Sequence, residues 1–339
     1  MELEAAGTRK GTGYGGGVVG VLLVHLGGAP DVAAVAPYLR GLFSDRDVAR
    51  LLGGGALQRP VARLMAMLYA PRLRKTYACI GGHSPILHYT RLQARGVETR
   101  LRLRGRDAHV VFATRYLQPT VDDALATLRA AGLPRIVVVT LHPQYSAATT
   151  GAILGELRRA VHRCAHRFRI DLVDRWHGDP GYLDVVAARV REGLQGFPEE
   201  VRSEVTILFC AHSVPEHLAL DGDPYLDDVD ATLQGVLARL PSGTRHRLAM
   251  LPGPGPLRWI GPETCAVVKE LGHDGTRFLL CAPLSFVTDH IETLYEIDLV
   301  LRQVASQAGI VEFRRAPALN DDPRFIDVLA NLVERRLSR

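Results

Sequence analysis

The stretch FVTDHIETLYEID, Phe286 to Asp298, sets Asp289, His290, Glu292, Glu296 and Asp298 directly after an apolar run. Imidazole and carboxylate are the side chains that take up protons near neutral pH and hold metal ions exchangeably. The ordinary alternative is helix capping, because carboxylates near a helix N-terminus meet a favourable dipole and unpaired N–H groups. Capping accounts for Asp289. It leaves Glu292 and Glu296, four apart on one helical face, where like charges repel by roughly a few tenths of a kcal/mol. That face has a second task or is simply solvated.

Short apolar runs that read as strands recur along the chain: VVGVLLVHL, AHVVFATRY, RIVVVTLHP, RIDLVDRW, VTILFCAH, HRLAML, TRFLLCAPLSF and GIVEFRRAP. Amphipathic helical stretches such as TVDDALATLRAAGL separate them, an alternation that predicts an α/β fold of parallel sheets covered by helices. Ligands of such sheets collect beyond the carboxyl ends of the strands. The residues there are His25, Arg115 with Tyr116, His142 with Tyr145, Trp176 with His177, His212 with Ser213, and Asp289 through Glu292. The strand series divides near Phe168. This predicts two doubly wound domains with a cleft between them: 17–167 plus the returning segment 309–339, and 168–308, behind a flexible tail at 1–16.

The chain has 339 residues, 47% hydrophobic and 23% charged, enough for two cores and too apolar for disorder. Its 41 basic and 36 acidic residues give +5, but the positive charges are scattered and not interleaved with aromatics, which argues against nucleic acid. Five isolated cysteines, with no CxxC pair, suggest neither a zinc site nor a disulfide framework, and fit a reducing cytoplasm. VVGVLLV behind TRK imitates a signal peptide. Gly20 and His25 interrupt it, however, and it reads as a buried strand. No GxxxxGK[ST] follows a strand, and the glycine-rich GYGGGVVG precedes its strand, so no nucleotide loop is indicated.

Five segments in order, YACIGGHSPI, HPQYSAATTG, AHSVPE with GDPYLDD, DHIETLYEID and ALNDDPRF, make the chain resemble the ferrochelatases, from about Gly20 to about Leu332. The resemblance implies two Rossmann-like domains with a porphyrin cleft between them, and insertion of ferrous iron, a substrate, into a free-base porphyrin as the terminal step of haem biosynthesis. It assigns His212 and Glu292 as catalytic and metal-binding. Leu26, Tyr77, Ser84, Arg115, Tyr116, Trp259, Phe286 and His290 are assigned to the porphyrin cleft, and Glu296 and Asp289 to a proton or metal path. The ring must lose two pyrrole protons while iron sheds water, so a proton acceptor and weak metal ligands are wanted. Protoporphyrin IX is the implied macrocycle, with coproporphyrin III as the alternative. A chelatase for another tetrapyrrole and a non-catalytic porphyrin or haem carrier are the competing readings.

Some positions depart from the family pattern. His25, His142 and His83 stand where relatives commonly show NLG, LYPQYS and GGGSP. Tyr69 replaces a frequent arginine, LPGPGP replaces a more polar segment, and Val300 ends the acidic row. The chain ends at VERRLSR without the cysteines that hold an iron–sulfur cluster in some relatives, so no cluster and no resident cofactor are expected. Leu57, Val61, Leu64, Met65 and Leu68, with arginines alongside, could make an interfacial helix giving peripheral membrane contact near the cleft mouth. Transfer partners in the haem pathway are a further expectation.

Overall fold

The computed structural model describes residues 17–46, 48, 57–164, 166–253 and 258–338. The expected N-terminal tail, 1–16, lies outside the described residues. The first sheet contains β1 (Val19–His25), β2 (Ala108–Thr114), β3 (Arg135–Thr140) and β4 (Arg169–Val173), in the order β2-β1-β3-β4. The second contains β5 (Thr206–His212), β6 (His246–Leu251), β7 (Phe278–Pro283) and β8 (Glu312–Arg315), in the order β6-β5-β7-β8. All these pairings are parallel. The same order therefore occurs twice, although the sequence carries no clean repeat. In each sheet the chain leaves its first strand for one neighbour and then crosses to the other side. This creates a topological switch point at β1/β3 and another at β5/β7.

The central strands explain the placement of chemistry. VGVLLVH and TILFCAH each bury their first six residues and leave the seventh, His25 or His212, half-open at the carboxyl end. A strand flanked on both edges and covered on both faces needs such a continuous apolar run. The run that imitates a signal peptide is thus a central strand.

The helices are α1 (Val35–Ser44), α2 (Gln58–Cys79), α3 (Ile86–Leu103), α4 (Val121–Ala130), α5 (Ala152–Arg163), α6 (Pro180–Gln195), α7 (Glu216–Leu220), α8 (Tyr225–Leu237), α9 (Thr264–His273), α10 (Arg302–Gln307) and α11 (Pro323–Leu337). Several start where the sequence says they must. Thr120 and Asp123 form a capping box on α4, and Asp179 and Asp322 cap α6 and α11 just before a proline.

The expected domain boundaries need correction at both ends. Ile170 and Leu172 of β4 pack on the first sheet's core, so the strand series divides after Val173 instead of near Phe168. Phe313 of β8 fills the second sheet's core, so the segment from 309 serves that sheet before α11 crosses back to α3, β3 and β4. One core cluster runs through Val137 and Val139, then Tyr182, Val186, Phe325 and Leu329, to Phe209 and Leu280. The two sheets are welded through α6 and α11, which fixes one wall of the cleft against the other.

Polar contacts reinforce this weld where two of the quoted motifs meet. Within HPQYS, Gln144 Nε2 donates to Thr232 Oγ1 at 2.9 Å and the Tyr145 N–H donates to Asp228 Oδ2 at 2.9 Å. Asp228, from GDPYLDD, is fully buried and also accepts from Arg175 Nε at 2.9 Å. A buried carboxylate needs such partners.

α2 packs on α1 through Ala62, Ala66, Ala70 and Tyr77. Its exposed apolar residues are Leu64, Met67 and Leu68, with Leu57 just before the helix. Val61 and Met65, expected on the same open face, are half-buried. Alanines make the close helix contact and push the larger side chains outward.

Candidate active site at the second switch point

β5 delivers His212 to the end of the second sheet, where its backbone N–H donates to Ser285 Oγ at 2.8 Å. Ser285 lies just beyond β7, so this bond ties the two strand ends that make the β5/β7 switch point. From there the chain runs through Phe286 and His290 into a π-helix, Glu292–Leu301. The sequence implied an ordinary helix. The wider i→i+5 winding is rare and is found mostly at functional sites.

The start of the π-helix is held by ALNDDPRF. Asn320 has φ of 45°, the left-handed region that asparagine tolerates. Its Oδ1 accepts from the Asp289 N–H and its Nδ2 donates to Asp289 Oδ2, both at 2.8 Å. Asp289 Oδ1 meets Arg315 Nη1 at 2.9 Å and accepts from Thr293 Oγ1 at 3.0 Å. Arg315 also clamps Asp298 with two bonds, of 2.8 and 2.9 Å. Asp289 was expected on a proton or metal path. With both oxygens engaged it is an anchor for the segment that carries Glu292.

Glu292 Oε2 stands 3.0 Å from His212 Nδ1 and 3.7 Å from His290 Nε2. The carboxylate fixes hydrogen on His212 Nδ1, leaving Nε2 open toward the cleft. Burial raises the Glu292 pKa, but the His212 and His290 imidazoles outweigh it and hold the carboxyl well below its usual range. Burial lowers the His212 pKa, and Glu292 more than reverses that, so the imidazole lies above its ordinary value. The two shifts describe one pair. Its side chains remain 29% and 24% exposed although desolvation acts on both. Glu296 is raised by burial and then by Glu292, with Arg72 of α2 opposing.

The cleft residues divide by what they touch. Trp259 and Phe286 lie edge-on to His212 with ring centroids 5.8 and 6.5 Å away, and Phe286 is 4.6 Å from His290. Gly253, within LPGPGP, makes room for this: a Cβ there would fall 2.3 Å from the Trp259 ring. Residues 254–256 of that segment, and 257 after it, lie outside the described residues. Tyr77 and Ser84 are 2% and 4% exposed and brace the loop after β1. The Ala29 N–H donates to Tyr77 Oη at 3.3 Å, and the Ser84 N–H donates to Ala29 O at 2.9 Å. Both therefore support the loop that carries the half-buried Leu26.

Arg115 is engaged by Asp45 at 2.9 Å and Glu156 at 3.3 Å, and Tyr116 donates to Asp45 at 2.9 Å. A porphyrin propionate would have to displace these carboxylates. Ser285, Arg315 and Asn320 are the positioning residues that motif reading did not single out. Asn320 lies within ALNDDPRF, and an asparagine before two aspartates was the available signal. Ser285 carried none.

This arrangement is that of a chelatase-like α/β protein. A solved structure of SirB from Bacillus subtilis with Fe3+ superposes with a TM-score of 0.56 at 14% identity, covering 94% of this chain and 95% of that one, a likeness of fold. The ferrochelatase family model matches residues 18–337. A ferrochelatase of Geotalea uraniireducens is 42% identical over 318 residues, covering 94% of this chain and 98% of that protein. One from a Synechococcus strain is 40% identical over 321 residues, covering 94% and 93%. The chain belongs to the ferrochelatase family.

Proposed function

We propose that the chain inserts ferrous iron into a free-base porphyrin to give haem, acting on protoporphyrin IX, with coproporphyrin III as the alternative macrocycle. The observation that carries this reading is the His212–Glu292 pair at 3.0 Å, open at His212 Nε2 between aromatic walls. His212 Nε2 accepts a pyrrole proton. Glu292 holds the tautomer and stabilises the imidazolium that forms. Glu292 and Glu296, on the same helix, supply a path for protons leaving the ring or iron reaching it. Trp259 and Phe286 press on the ring, and saddling the macrocycle turns its nitrogen lone pairs toward one face, worth about 1–5 kcal/mol. Anaerobic incubation of the pure protein with Fe2+ and each free-base porphyrin tests this: a metalloporphyrin spectrum is expected, and porphyrin binding without turnover would favour the carrier reading.

This reaction needs no resident cofactor. Cys210 and Cys281 meet from neighbouring strands of the buried second sheet with 3.0 Å between sulfurs, and Cys265 packs against the same core, while Cys79 is exposed and Cys164 half-buried. Sulfide and iron in stoichiometric amounts in anaerobically purified protein would overturn this. Peripheral membrane contact belongs to the same reading, now through Leu57, Leu64, Met67 and Leu68 beside Arg59, Arg63 and Lys75. No helix among the described residues is long and apolar enough to cross a membrane. Sedimentation with anionic vesicles at low salt is the measurement, and failure to co-sediment removes the contact.

A further inference from the structure

A cavity of about 480 Å³ lies between α5 and α7, lined by none of the residues the reaction above uses. α5 and the π-helix turn before it supply Gly151, Gly155, Arg158 and Arg159, and α7 supplies His217 and Leu218 from across. The two glycines, one turn apart, put no side chain into the space. Arg46, just beyond α1, brings a third guanidinium. Among the described residues every ionisable group on the lining is therefore basic, and Arg158 has no ion-pair partner among them. Guanidinium groups take carboxylate or phosphate with paired, charge-assisted bonds. A concave space so lined suits a small anion with more than one charged group.

Arg159 joins this cavity to the porphyrin cleft. Its Nε meets Glu156 Oε2 at 3.0 Å, and the same oxygen stands 3.3 Å from Arg115 Nη1. One carboxylate oxygen is thus shared by an arginine of the cavity and the arginine assigned to the cleft. The other oxygen, Oε1, accepts from Arg163 at 2.7 Å, and Arg163 does not line the cavity, so Glu156 stays anchored when Arg159 turns away. Burial raises the Glu156 pKa, but Arg163, Arg159 and Arg115 outweigh it and hold the carboxyl below its ordinary value.

We propose that the cavity binds a small organic anion carrying two or more carboxylate or phosphate groups, and that this anion lowers porphyrin affinity by drawing Arg159 off Glu156. With one cation fewer on the shared oxygen, Glu156 holds Arg115 harder, and Arg115 yields less readily to a porphyrin propionate. The effect is mutual: a propionate that takes Arg115 leaves the oxygen to Arg159 and weakens the anion by the same factor. The inference rests on the chelatase reading above, with Arg115 in the cleft, and adds to it a control of substrate binding.

Calorimetric titration of the full, metal-free chain with citrate and, separately, with pyrophosphate at constant ionic strength tests the site and tells carboxylate from phosphate chemistry. At least one binds with a dissociation constant below about 1 mM. Arg158→Gln weakens it by about tenfold, the scale of one charge-assisted hydrogen bond, and His217→Gln is the second variant. Porphyrin affinity, read by fluorescence quenching, falls by about threefold at saturating anion, the scale of one strengthened, partly exposed ion pair. Glu156→Gln abolishes that fall while anion binding persists. If neither anion binds, or if folded Arg158→Gln and His217→Gln bind as the wild type does, the site is overturned. If an anion binds and porphyrin affinity does not move, the control through Arg115 is overturned. Neither measurement needs turnover, so a wild type that inserts no iron counts against the chelatase reading and not against the site.

Discussion

The two switch points are built on the same strand order and each ends its central strand in a half-open histidine, yet they differ in one partner. His212 faces a carboxylate, Glu292, at 3.0 Å, whereas His25 faces a backbone N–H and a second imidazole. The consequence is opposite in sign: the His212 pKa lies above its ordinary value and the His25 pKa well below it. Burial lowers both. A single glutamate therefore separates an imidazole that can take a proton from one that stays neutral, on two ends of a duplicated frame.

The sharpest way to break that contrast is to remove either member of the pair. His212→Ala and Glu292→Gln should each slow insertion by at least about a hundredfold, the scale of a lost positioned acid–base group. Porphyrin binding, followed by fluorescence quenching, should survive because Trp259 and Phe286 remain. Near wild-type turnover of both variants at saturating iron would end the catalytic assignment. Glu292→Gln also makes the second switch point electrostatically like the first. His212 must be neutral to accept a proton, so wild-type kcat/KM should climb as pH rises through its elevated pKa. With the carboxylate gone, burial alone acts, and the acid limb should move to lower pH. An unmoved limb would mean that another group sets it.

Much of this contrast was legible in the sequence, and the limits were physical. Continuous apolar runs ending in histidine marked the central strands, because parallel sheets buried on both faces require them. HSVPE and DHIETLYE marked His212 and Glu292. The domain boundary was misplaced because RIDLV and EFRR are edge strands, and their membership depends on which core they meet, a long-range matter. The π-helix was also hidden, since the pattern of residues 292–301 suits ordinary helical winding nearly as well. Asp289 looked like a relay from its type, but the partners that make it an anchor, Arg315 and Asn320, lie far along the chain.

The first switch point has an anchor of its own, since Asp223 accepts the Ala147 N–H at 2.6 Å where the segment after β3 enters a π-helix at Ala147–Gly151, so removing the Asn320 anchor is a milder way to sharpen the comparison. Asn320→Gly preserves the left-handed backbone while removing both bonds to Asp289. We expect a loss of about 1–3 kcal/mol in unfolding free energy, from a half-buried N–H and carboxylate left short of a partner. Insertion should fall by about tenfold as Glu292 loses its support, the low end for a group that orients a ligand. Denaturant unfolding and steady-state insertion measure the two. Activity that stays intact while stability falls would detach the anchor from catalysis.

The smallest effect should come from Glu296→Gln. Glu296 continues the acidic face beyond Glu292, but Val300 occupies the next step and Arg72 stands against it, so the row is short. It is also half-exposed, so a proton that reaches it has water as an exit and the carboxylate is not the sole route. Removing its charge further relieves repulsion on Glu292, which lets Glu292 keep its own ionised form and its hold on His212. Turnover at saturating iron should therefore fall by no more than about fivefold, small against the hundredfold scale of a positioned acid–base group, and the His212 limb of the pH profile should stay in place. A loss as large as that of Glu292→Gln would shift the bottleneck outward, making passage along the acidic face, and not proton capture at His212, the step that distinguishes the second switch point from the first.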